Sequence, residues 1–203
     1  MKRIDLKKDF AALYKATAKP VAVKVPKLRY LMIDGQGDPN TSTAFADAIT
    51  TLYGVAYTMK FMLKQGPEAI DYPVMPLEAI WWADDMDNFA MAKKDKWKWT
   101  AMIMTPAFIT KKTLAATKVE LARKKKELPA IGLLRLEDMT EGACAQVLHV
   151  GPYDAERPTI ETLHAFIKEN GKELRGRHRE IYLSDARRVA PEKLRTIIRQ
   201  PMG

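Results

Sequence analysis

Glu180-Ile-Tyr-Leu-Ser-Asp185, near the end of the chain, echoes Ala79-Ile-Trp-Trp-Ala-Asp84 in its first half. Isoleucine falls on isoleucine, Tyr182 on Trp81 and Asp185 on Asp84. Tyr30-Leu-Met-Ile-Asp-Gly35 and Val147-Leu-His-Val-Gly151 form a second pair of echoes. Each of these two is a short apolar run closed by glycine, the mark of a strand entering a turn. The two pairs occur in the same order, so the chain reads as a duplication.

The spaces between the echoes fill in alike. Phe45, Ala48, Ile49, Leu52, Val55, Ala56, Met59, Met62 and Leu63 recur at intervals of three or four, predicting a helix over 41–65. Gly66-Pro67 stops it, and Gly54 within it suggests close approach of another backbone. In the second half Ile160, Leu163, His164 and Ile167 mark a helix over 155–170. Pro158 suits its first turn and Gly171 lies just past its end. Strands are expected at 28–34, 76–83, 97–104, 143–150, 178–185 and 194–199, with a loop at Asp84–Asp87.

Both halves thus run strand, helix, strand, strand. A βαββ unit is a sheet covered by one helix, and two such units pair into one curved antiparallel sheet. Their seam makes a cleft, where pockets tend to form. The expected fold is α+β with two such repeats and a central ligand groove. Residues 1–27 read as an N-terminal arm and 28–203 as the domain: repeat one at 28–105, a connector at 106–140, and repeat two at 141–203. The connector carries a helix from Thr110 to about Glu127 and an extra strand at Ile131–Leu136.

Composition narrows the function classes. The chain has 203 residues, 47% hydrophobic and 29% charged, which suits one globular body. No apolar run approaches the ~20 residues that cross a bilayer, and the N-terminus is charged, so a cytoplasmic protein is expected. The single Cys144 excludes an intramolecular disulfide and reads as a buried, inert strand residue. The net charge of +9 raises nucleic acid as a partner. Much of it sits on Lys111, Lys112, Lys118, Arg123, Lys124, Lys125 and Lys126, with no DNA-reading motif beside it. A solvated basic helix face is the better reading. His149, His164 and His178 lack metal-site spacing, Asp84, Asp85 and Asp87 lack the rest of a calcium loop, and Gly35-Gln-Gly37 lacks the third glycine of a dinucleotide fingerprint. Neither a metal nor a cofactor is expected.

What remains is one carboxylate among rings. Alternation places Glu180, Tyr182 and Ser184 on one strand face, with Ile181 and Leu183 on the other, against the helix. Trp81 takes the place of Tyr182 in the first repeat, and Trp97 and Trp99 share a face of their strand. Rings stack on a flat ligand, while the acid balances a cation or activates water.

The chain resembles the GyrI-like small-molecule-binding proteins, in particular the stand-alone subfamily related to cyclopropanoid cyclopropyl hydrolases. The resemblance rests on Tyr30-Leu-Met-Ile-Asp-Gly-Gln-Gly-Asp-Pro-Asn40, Tyr57-Thr-Met-Lys-Phe61, Met75-Pro-Leu-Glu-Ala-Ile-Trp-Trp82, Trp97-Lys-Trp-Thr-Ala-Met-Ile103, His149-Val-Gly-Pro-Tyr-Asp154, Glu180-Ile-Tyr-Leu-Ser-Asp185 and Arg187-Arg-Val-Ala-Pro-Glu-Lys-Leu194. It implies two SHS2-type modules around a ligand groove, with Glu180 as the key polar group. It further implies that Trp81, Trp99, Tyr153 and Tyr182 hold a planar aromatic ligand, cationic in binding members and electrophilic in hydrolytic ones. In the hydrolytic case Glu180 activates water to open a strained cyclopropane, with Tyr182 or Tyr153 as the hydroxyl donor. The alternative is a drug-binding or sequestering module without turnover. Ala186 departs from the proline expected after Asp185 in this subfamily.

Overall fold

The computed structural model describes residues 1–84 and 94–203. The expected loop at Asp84–Asp87 lies outside them beyond its first residue, as do Asp85, Asp87 and Lys93. In chain order the elements are β1 (Lys2–Arg3), α1 (Leu6–Asp9), α2 (Ala11–Tyr14), β2 (Val21–Gln36), α3 (Thr43–Gln65), β3 (Ile70–Asp71), β4 (Leu77–Trp82), β5 (Lys98–Thr105), α4 (Lys111–Arg123), β6 (Arg135–Val150), α5 (Arg157–Glu169), β7 (His178–Tyr182) and β8 (Arg195–Pro201). Helices and antiparallel strands mix, as expected for α+β. No helix among the described residues is long and apolar enough to cross a membrane.

Boundaries differ from expectation where polar residues interrupt an apolar run. The strand expected from Leu28 begins at Val21. No separate strand forms at Ile131–Leu136. Ile131–Leu133 is a 3-10 turn, and β6 runs unbroken from Arg135 to Val150. Glu137, Asp138 and Glu141 hide that continuity in the sequence, and Gly142 takes φ +76° within the strand. Thr110 caps α4 as expected, accepting from the Thr113 amide at 3.2 Å. The helix ends at Arg123 rather than Glu127, where the four consecutive cations begin. Lys125 adopts a left-handed φ of 51°, just beyond that end.

The described chain divides into two compact units: residues 1–9, 28–75 and 82–139 in the first, and 10–27, 76–81 and 140–203 in the second. In the first, β2 pairs antiparallel with β5, from Arg29 opposite Thr105 to Gln36 opposite Lys98. The register sets Gly35 opposite Trp99. A Cβ on Gly35 would lie 2.2 Å from the indole ring, so only glycine leaves the ring its place. Phe45 of α3 meets the same ring edge-on at 4.9 Å. Gly54 of α3 yields to the Leu128 side chain, 2.8 Å from where its Cβ would be, and not to another backbone.

The second unit holds a four-stranded antiparallel sheet in the order β4, β7, β8, β6. One face packs on α5, where Leu163 and Ile167 meet Ala145, Val147, Ile198 and Met202. The register decides which side chains share that face. Glu180 lies opposite Ile198, and Ile198 opposite Val147. Glu180 therefore points to the α5 side, and Ile181 points away from it, the reverse of the expected orientation. Alternation separated the two sets of side chains correctly but could not say which neighbour each would meet.

The opposite face of this sheet is buried too, beneath α2. Gln146 donates to the carbonyls of Ala12 and Lys15, and the Arg199 guanidinium donates to the carbonyl of Leu13. Tyr14 donates to Glu78 at 2.5 Å. On this face Arg179 pairs with Glu78 at 2.9 Å and with Glu141 at 3.1 Å, and Arg199 approaches Glu141 at 3.6 Å. Segment 10–17 is thereby fixed to the second unit.

Candidate functional site

The site grows from β7 and the turn before α5. His178, Glu180 and Tyr182 alternate onto one face of β7, and Trp81 of β4 stands opposite His178. A hydrogen-bond relay runs across them. The Trp81 indole donates to the Tyr182 hydroxyl at 3.1 Å, and that hydroxyl donates to Glu180 Oε2 at 2.7 Å. His178 Nε2 lies 3.3 Å from Glu180 Oε1. Each donor polarises the next, so the relay would stabilise negative charge on Glu180. The carboxylate keeps only 15% of its side-chain surface exposed. Its partners are thus Tyr182 and His178.

The turn adds a ring and a second acid. Gly151 takes φ +139°, a conformation that disfavours side chains. His149 brackets the turn, with Nδ1 2.9 Å from the Thr159 hydroxyl and Nε2 3.1 Å from the Pro152 carbonyl. The carbonyl can only accept, so Nε2 carries the proton and Nδ1 accepts from Thr159. This bracket holds Tyr153 and Glu156 against the sheet. The Tyr153 ring meets Tyr182 edge-on, 5.6 Å between centroids and 82° between planes. Tyr153 is 39% exposed, so its ring has an open side.

Glu156, at the N-cap of α5, is 4% exposed, and its Oε1 has no hydrogen-bond partner among the described residues. Donor atoms of Glu156, His178 and Glu180 lie within 4.8 Å of one another. Burial, and then the charge of Glu180, push the Glu156 carboxyl up to about 9. The helix terminus favours an anion there, but burial wins. A metal ion would have to displace the Glu156 proton to bind this trio.

Both phenols stay protonated. Burial, with Glu180 second, raises Tyr153 to about 12 and moves Tyr182 well above its ordinary value. His164 of α5 is lowered by burial and by His178 beside it, which keeps it neutral.

Of the residues singled out in the sequence, the second unit brings Trp81, Tyr153, Glu180 and Tyr182 together. Trp99 belongs to the first unit, buried between Phe45 and Gly35. Sequence reasoning missed Glu156 and the role of His178. Glu156 precedes the helix-opening Arg157-Pro158 by one residue, a local signal for a cap but not for a partner across the sheet. Cys144 is buried as expected, and burial pushes its thiol up to about 12. Two shallow hollows lie elsewhere, one of about 180 Å³ beside Val147 and Thr159 and one of about 280 Å³ beside Lys60 and Asp71.

Known proteins resemble this chain over nearly its whole length. A hydrolase from Listeria innocua is 35% identical, with a TM-score of 0.87 over 98% of this chain and 100% of that one. An uncharacterized conserved protein from Listeria innocua is 34% identical, with a TM-score of 0.90 over 98% and 100%. The EcmrR C-terminal domain, 14% identical with a TM-score of 0.57 over 91% of this chain and 97% of that one, shares the fold alone. No curated protein sequence matches the chain. Residues 18–202 match the GyrI-like small molecule binding domain, and the chain belongs to that family.

Proposed function

We propose that this protein binds planar aromatic molecules at Glu180 and hydrolyses electrophilic cyclopropanoid ones, a detoxifying reaction. The observation that carries this reading is the mostly buried Glu180 carboxylate beside the edge-to-face rings of Tyr153 and Tyr182. Trp81 extends the aromatic surface and fixes the Tyr182 hydroxyl. The relatives from Listeria innocua described as hydrolases, at 35% and 34% identity, support turnover. The order β6, α5, β7, β8 parallels β2, α3, β4, β5, with only the two-residue β3 between α3 and β4, and supports a pair of SHS2-type repeats.

In the reaction Glu180 takes a proton from water as the water oxygen bonds to the strained ring carbon. The cyclopropane carbon–carbon bond breaks, and its electron pair moves through the dienone to the oxygen. The Tyr153 hydroxyl, held protonated, donates a hydrogen bond to that oxyanion, and the proton on Glu180 then neutralises the phenolate. Donors aimed at charge that appears in the transition state lower the barrier most. Stacking holds the strained carbon near the water.

A Glu180→Gln variant is expected to bind a neutral cyclopropane-dienone and lose about 100-fold or more in turnover, as for other general bases. Product followed by mass spectrometry reads this, and a wild-type rate in the variant overturns the catalytic role. Binding without turnover is the second reading. It is favoured by the engagement of both Glu180 oxygens with Tyr182 and His178. It predicts ligand binding and no product from the wild-type protein.

A further inference from the structure

The Glu156 carboxyl is a buried titratable group that the proposed reaction does not use. It reaches Glu180 from a different element, the N-terminus of α5. Two carboxyl groups this close, both withdrawn from water, cannot both ionise at ordinary cost. Glu180 has two donors, Tyr182 and His178, to hold its charge. Glu156 has an oxygen without any hydrogen-bond partner among the described residues. Glu180 is therefore the anion and Glu156 the acid. The other titratable groups facing the pair are Tyr153 and Tyr182, both protonated, and His178, with the neutral His164 behind it.

We propose that Glu156 and Glu180 hold one proton between them and that an aromatic cation binds by taking that proton's place. The Glu156 O–H bond breaks, the proton leaves to solvent, and the ligand's fixed positive charge balances the second carboxylate. Net charge at the site is conserved. A neutral aromatic ring has no charge to exchange, so it binds with the proton in place. The inference rests on the proposed small-molecule site and deepens it, since it separates two ligand classes by their pH dependence.

The probes are N-methylacridinium, a permanent cation, and acridine, its neutral parent. Calorimetric titration in two buffers of different ionisation enthalpy counts protons released per ligand. Between about pH 7.5 and 8.5, above the ordinary imidazole range, wild type is expected to release close to one proton per N-methylacridinium and none per acridine. Affinity for the cation rises by up to about tenfold per pH unit there, and affinity for acridine stays flat. Glu156→Gln keeps the shape, removes the proton, and is expected to bind the cation without release. Release that persists in Glu156→Gln assigns the proton to His178 and overturns the proposal, as does cation binding to wild type without release. If neither ring binds, the small-molecule reading of this site fails and ligand exchange falls with it. The pair is then judged without ligand. Wild type losing stability relative to Glu156→Gln as pH rises supports the shared proton, and parallel curves overturn it.

Discussion

The two faces of the β4–β7–β8–β6 sheet bury charge in opposite ways. Beneath α2, two arginines meet two glutamates: Arg179 and Arg199 against Glu78 and Glu141. That side is balanced, and Tyr14, Gln146 and backbone carbonyls take up further bonds. Beneath α5, the partners of Glu156 and Glu180 among the described residues are a histidine, a hydroxyl and rings. A finished ion network is a structural element. An excess of acid among aromatic rings lacks a positive partner, and a ligand can supply it. Burial alone does not mark a functional group; under the proposed function it is the unbalanced burial that does.

The sharpest way to break this comparison is to unbalance the finished face. Arg179→Met leaves Glu78 buried without its cation and should cost about 3–5 kcal/mol, read as a shift in denaturant midpoint. An unchanged midpoint would mean the pairing does not matter to the fold. Glu180→Gln should act oppositely, weakening N-methylacridinium binding by about 100-fold while the unfolding midpoint holds or rises. A large loss of stability there would make Glu180 a structural residue. Tyr14→Phe removes one donor from Glu78 and should cost about 1–2 kcal/mol, with no effect on ligand.

Most gradual is the pH effect of Glu156, spread over several pH units. Its native carboxyl is raised from 4.5 to about 9, so the native state keeps a proton that the unfolded chain has lost between those values. This contribution to stability is fully present below the unfolded value and disappears as pH rises through the native one. The slope is at most about 1.4 kcal/mol per pH unit, and Glu156→Gln should flatten it. Thermal unfolding of both proteins across this window provides the check.

The sequence carried the helices well, because α3 and α5 announce themselves by spacing and by Pro158 and Gly171. It carried the pairing of Glu180 with Tyr182 for the same reason, since alternation is local. The orientation of β7 was not legible. Ile181 and Leu183 look like the helix-facing set, yet both faces of the strand are covered, and Arg179 is wholly buried on the side opposite α5. Which face meets which cover depends on register with β8 and β6, a property of distant residues. Glu156 escaped notice on the same ground: its partner stands across the sheet, not along the chain. Trp99 looked like a ligand platform by kind, while its neighbour Gly35, opposite it across the strands, already hinted at a packed ring.

The placement of α2 has a further consequence for how the second unit is made. The Leu13 carbonyl and the Arg199 guanidinium meet across 186 positions of chain. Contacts of such separation form late, because loop closure must precede any gain from them. During synthesis, the segment before β2 must wait for the last strand to emerge before its anchor exists. Ligand binding at the proposed site should accordingly arrive only once β8 is made, and a chain stalled before β8 should lack it.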